Sequence, residues 1–65
     1  MTLGDAFPQE LDRVREILAE YIHIGASGRF GATWIGELVH EAEDAMRQGD
    51  AVEMLRLYAK LQKVK

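Results

Sequence analysis

Sixty-five residues leave room for one domain, and an unaided chain of this size buries only about 60% of its unfolded surface. The 48% share of hydrophobic residues is too high for a disordered tail, and the absence of cysteine excludes disulfides, thiolate metal sites and thiol chemistry. A net charge of −3 argues against binding nucleic acid directly through a basic surface, and no apolar run approaches the roughly 18–20 residues of a membrane span.

The N-terminus, Met1-Thr2-Leu3-Gly4-Asp5, has neither a basic n-region nor an apolar h-region. It does not read as a signal peptide, so a cytoplasmic setting is the default expectation. Helix 1 is expected over about 6–24, with Pro8 tolerated in its first turn. Leu11, Val14, Leu18 and Tyr21 recur at i, i+3, i+7 and i+10 and form one face, widened by Phe7, Ile17 and Ile22. Asp12, Glu16 and Glu20 lie opposite, and His23 near the end suits the negative pole of the helix dipole. Gly25 then ends the helix.

Residues 25–31 are expected to be a flexible loop. The glycines of Gly25-x-x-Gly28-x-x-Gly31 match neither the dinucleotide fingerprint nor the P-loop, and a helix rather than a strand precedes them. Helix 2 follows over about 32–48, capped by Ser27 or Thr33. Ile35, Leu38, Val39, Ala42 and Met46 make its apolar stripe, with Phe30, Trp34 and Ala45 at the margins and Glu37, His40, Glu41 and Asp44 facing away. Gly36 in the helix interior is unfavourable by up to about 1 kcal/mol relative to Ala, which suggests that its missing side chain admits a neighbouring helix.

The clearest local signal is Arg47-Gln48-Gly49-Asp50-Ala51-Val52-Glu53. Gly49 supplies the positive φ that ends a helix, Asp50 caps the next one, and Glu53 completes an Asp-x-x-Glu capping box. So short a connection predicts two helices packed antiparallel. Helix 3 is expected over about 51–64, with Ala51, Met54, Leu55, Tyr58 and Leu61 as its stripe and Leu57 and Val64 at its margin. The fold expected is therefore all-α, a single domain over 1–65, a three-helix bundle with a C-terminal antiparallel hairpin and helix 1 across it.

The apolar arc of helix 3 spans roughly half its circumference, more than the ~100° stripe that one helical neighbour needs. Self-association or a protein partner is the remedy this predicts, with dimerisation completing the bundle. Phe30, Trp34, Met54, Leu57, Tyr58 and Leu61 are the expected interface residues, since they lie at the margins of the core stripes and Trp and Tyr are enriched among interface anchors.

Other constellations carry less. Glu37-x-x-His40 has the spacing of helix-bundle di-metal sites, with Glu16 or Glu20 as further candidates. Yet Glu37 and His40 lie opposite the apolar stripe, so a solvated face is expected, with no metal and no cofactor. One Ser, two Thr and two distant His give no nucleophile and base to pair, and the chain reads as non-enzymatic. Arg56, Lys60 and Lys63 form a cationic stripe that complements the C-terminal dipole of helix 3. Glu37, Glu41 and Asp44 form an acidic face on helix 2, suited to a basic partner or to imitating a phosphate backbone. On that alternative the chain would inhibit a nucleic-acid-binding complex.

The stretch from Ala45 to Tyr58, with its Gly49-Asp50 turn, resembles the hinge of a tetratricopeptide-type hairpin. The aromatic and Leu-Gly positions of that repeat's first helix are not in place, and about three repeats are needed for a stable array. A wider resemblance rests on Glu10-Leu11-Asp12-Arg13-Val14-Arg15-Glu16-Ile17-Leu18-Ala19-Glu20-Tyr21, on Gly28-Arg29-Phe30-Gly31-Ala32-Thr33-Trp34-Ile35 and on Gly49-Asp50-Ala51-Val52-Glu53-Met54-Leu55-Arg56. In these segments the chain resembles short helical proteins of unknown function encoded by tailed phages and prophages of proteobacteria. The resemblance implies an accessory protein acting by contact.

Overall fold

A computed structural model describes residues 2–65, apart from the side chain of residue 26. Among the described residues there are three α-helices packed against one another and no strand: α1 (Leu3–Ile24), α2 (Arg29–Gln48) and α3 (Ala51–Gln62). A short 3₁₀ turn (Gly25–Gly28) links the first two.

α1 begins earlier than the proline suggests. Thr2 is its N-cap: the hydroxyl accepts from the Asp5 N–H at 3.3 Å and donates to the Asp5 carboxylate at 3.0 Å. The hydroxyl thereby satisfies one amide donor that the first turn leaves orphaned, and the carboxylate holds the hydroxyl in place. Pro8 falls in the second turn instead of the first, and the carbonyl it leaves unpaired belongs to Gly4, an exposed residue that water reaches.

α2 also starts earlier, at Arg29, inside the segment expected to be a loop. Neither Ser27 nor Thr33 caps it. Gly28 occupies the N-cap without a side-chain bond, and the Thr33 hydroxyl donates to the Arg29 carbonyl at 3.0 Å. The glycines here are not a flexible tether. Gly25, at φ 84°, turns the chain out of α1. A Cβ at Gly28 would lie 3.2 Å from the Tyr21 carbonyl carbon and closer still to its oxygen, and one at Gly31 would lie 2.5 Å or less from the Tyr21 ring. The start of α2 therefore rests directly on the last turns of α1. Gly36 is the reverse of what was expected: a Cβ there would meet nothing within 4 Å.

The connection between α2 and α3 has the expected glycine and cap but only half of the expected capping box, because the Glu53 carboxylate pairs with Arg56 and leaves the Asp50 N–H to α2. Gly49 sits at φ 66°, and the Asp50 N–H donates to the Ala45 carbonyl at 3.1 Å. The Asp50 carboxylate accepts from the Glu53 N–H at 3.2 Å, so one residue closes α2 and opens α3.

The core takes Phe7, Leu11 and Val14 from α1, Ile35, Leu38, Val39, Ala42 and Ala45 from α2, and Leu57, Leu61 and Val64 from α3 and its end. The face of α3 is rotated from the one expected. Leu57, Leu61 and Val64 point inward, while Leu55 stands 62% exposed. Both stripes satisfy helical spacing on so wide an arc, and packing against two neighbours selects the one centred on Leu57 and Leu61.

Charged side chains tie the helices together at the rim. Arg13 of α1 donates to the Leu61 carbonyl at 3.0 Å and to the Val64 carbonyl at 2.9 Å, and its guanidinium also meets Glu10. The Leu61 carbonyl accepts from the Val64 N–H as well, at 3.1 Å, so Arg13 adds a side-chain donor to the turn that closes α3. Arg15 reaches across to Glu43 of α2 at 2.5 Å and back to Asp12 at 3.0 Å, which holds its pKa above the usual arginine value.

Candidate functional site

Of the large apolar side chains left in solvent, Ile22 and Ile24 at the end of α1 and Met46 late in α2 stand singly, and Val52 and Leu55 form an aliphatic i, i+3 pair in the first turns of α3. Single exposed residues of this kind are ordinary. Phe30 and Trp34 are different. They lie one turn apart on α2, at the i, i+4 spacing that makes neighbours of them, with Phe30 94% and Trp34 54% exposed.

Helix length explains their position. α2 has 20 residues and α3 only 12, about 30 Å against about 18 Å of axis. α3 ends beside Trp34, which shares a groove of about 290 Å³ with Glu37, Leu38 and Glu41 of its own helix and with Lys60 and Lys63. Phe30 stands a turn further along α2, where nothing covers it. The groove is thus apolar at its floor, acidic along the α2 wall and basic along the α3 wall.

The six expected interface residues divide in the structure. Phe30 and Trp34 are exposed, and Met54 and Tyr58 are half-buried at the edge of the core. Leu57 and Leu61 are fully enclosed, and so join the helices of this chain to one another instead of offering a docking surface. The buried face of α3 is centred on Leu57 and Leu61, which leaves neither of them at a margin.

The acidic face of α2 is largely compensated. Glu41 lies 4.0 Å from Arg56, and Asp44 meets Arg47 and, at 3.6 Å, His40. Arg56 also binds Glu53, which holds that exposed carboxyl below its usual range while raising the arginine. Of Glu37, Glu41 and Asp44, only Glu37 enters no ion pair among the described residues. Glu37 and His40 border a shallow exposed depression with Ala32, Thr33 and Gly36. Among the described residues no three His, Asp or Glu side chains converge as a metal site would require. Among the described residues no helix is long and apolar enough to cross a membrane.

Sequence reasoning missed Arg13 and Arg15: each has a local partner, Glu10 or Asp12, but the bonds to α3 and α2 that make them matter leave no local signal. It also missed the exposure of Val52 and Leu55, which followed from the rotated face of α3. Compared with known protein families, curated proteins and solved structures, the chain matches none.

Proposed function

We propose that this chain is a small non-enzymatic interaction or regulatory module that acts by contact with other protein through the Phe30–Trp34 face of α2. One observation carries the proposal: a phenylalanine 94% exposed, one turn from a half-exposed tryptophan. Burying one such aromatic side chain is worth about 1.5–3 kcal/mol, so leaving two of them in water gives a partner something to gain. The groove beside Trp34 adds charge of both signs at its rim.

The same proposal takes α2 and α3 as an antiparallel helical hairpin. Glu41 lies near Arg56, while Trp34 and Leu38 share a groove with Lys60 and Lys63, the pairing order expected of two helices joined by the two-residue Gly49-Asp50 turn. An intracellular accessory role, of the kind the resemblance to phage and prophage proteins implies, suits a module of this size. The carboxylates of α2 are a weaker basis for function, since Glu41 and Asp44 already face Arg56, Arg47 and His40.

The test is a photo-crosslinking residue placed at position 30 or 34 in the native cell, with position 20 of α1, also exposed, as the control. Protein adducts at 30 and 34 but not at 20 are expected. Equal adducts at all three positions, or none, would reject the aromatic face as the working surface.

A further inference from the structure

Glu37 and Glu41 on α2 and Lys60 and Lys63 on α3 line the same groove, so the acidic and basic walls stand at the same height along it. Glu37, Lys60 and Lys63 enter no ion pair among the described residues, and Trp34 lines the groove with them from the α2 side. A surface acidic on one side of a line and basic on the other is complementary to itself. Rotation by half a turn about that line lays each wall on the opposite wall of an identical molecule.

We propose that the occupant of this face is a second copy of the chain, related by a two-fold axis running along the groove. In that arrangement Glu37 of each copy faces Lys60 and Lys63 of the other, with Glu41, 4.0 Å from Arg56 of its own chain, completing the acidic wall beside it. The two Trp34 side chains meet at the axis, and α2 of one copy lies over α3 of the other as a four-helix layer. An isologous contact of this kind uses every charged pair twice, so reversing one wall sets like charges against each other at two places. The inference rests on the aromatic face being a contact surface, and it adds the identity of what is contacted.

Sedimentation equilibrium of the full chain, with the variants Glu37→Lys/Glu41→Lys and Lys60→Glu/Lys63→Glu, tests it. The wild type should dimerise in the micromolar range, more weakly at high salt. Each variant alone should associate at least about tenfold more weakly, and an equimolar mixture of the two should recover the wild-type affinity as a heterodimer. A wild type monomeric at high micromolar concentration, or a mixture no tighter than its components, would overturn the proposal.

A second measurement does not depend on the variants folding. Trp34 is the sole tryptophan, so wild-type emission should shift to the red on dilution as the dimer separates, and emission unchanged by dilution would overturn it. A monomeric chain that still crosslinks to a different protein through position 34 would remove the second copy while leaving the contact surface standing.

Discussion

The two junctions between helices solve one problem with different means. Between α2 and α3 the chain reverses on Gly49 and Asp50, and each stabilising bond joins residues no more than five apart. Between α1 and α2 it turns through Gly25–Gly28, and the decisive contacts are those of Gly28 and Gly31 with Tyr21. The first junction is held by backbone chemistry written locally. The second is held by the absence of side chains where one helix rests on another.

That contrast can be broken most severely at Gly28. Alanine there would press on the Tyr21 backbone, which cannot swing aside, and overpacking of this kind costs about 1–3 kcal/mol. Urea melts should show a midpoint clearly below wild type. Gly31→Ala is expected to fall in the lower part of that range, because a ring yields more readily than backbone. A double-mutant cycle sharpens the point: with Tyr21→Ala already present, Gly31→Ala should turn neutral or stabilising, and an unchanged penalty would mean the ring is not the obstacle.

At the other junction the effects should be smaller and separable. Gly49→Ala forces a side chain into left-handed backbone and should cost about 1–2 kcal/mol in thermal unfolding. Asp50→Ala removes the cap of α3 and should cost about 1 kcal/mol, with Asp50→Asn or Asp50→Ser restoring most of it. Gly36→Ala should have the opposite sign. Its Cβ would meet open space, so about 0.5–1 kcal/mol of stability should be gained, raising Tm by several degrees in a domain of this size.

The same contrast explains what the sequence discloses. Gly49-Asp50-x-x-Glu53 is legible because glycine, cap and helix start are all within one turn. Of the expected α2 stripe, Ile35, Leu38, Val39 and Ala42 are legible because helical spacing picks them out, while Met46 is exposed and Ala45, placed at the margin, takes the last core position. Thr2-x-x-Asp5 is an equally local signal, outweighed by Pro8, whose preference for the first turn is only statistical. Tyr21 against Gly31 is not local, and glycine in a connection looks the same in sequence whether it frees the chain or clears room for a ring.

The surface divides in the same way. Phe30 and Trp34 stood out as aromatics beside the stripe, and they are exposed. Leu57 belongs at the centre of its face and not at the margin, and Leu61 is core and not interface, because so apolar a helix does not declare its centre and only the directions of its two neighbours fix it. Periodicity ranks faces; it does not count neighbours.

Arg13 has a consequence for motion. Its two bonds join residues 51 and 48 positions apart, so the last turn of α3 is latched to the middle of α1 instead of fraying like a free helix end. In native-state hydrogen exchange the amides at the tail of α3 should open with those of the α1 core, and Arg13→Ala should release them while leaving the α2–α3 turn protected. An arginine of the first helix, bonded to the carbonyls next in sequence to Lys60 and Lys63, thereby decides how steadily the two lysines beside Trp34 are presented.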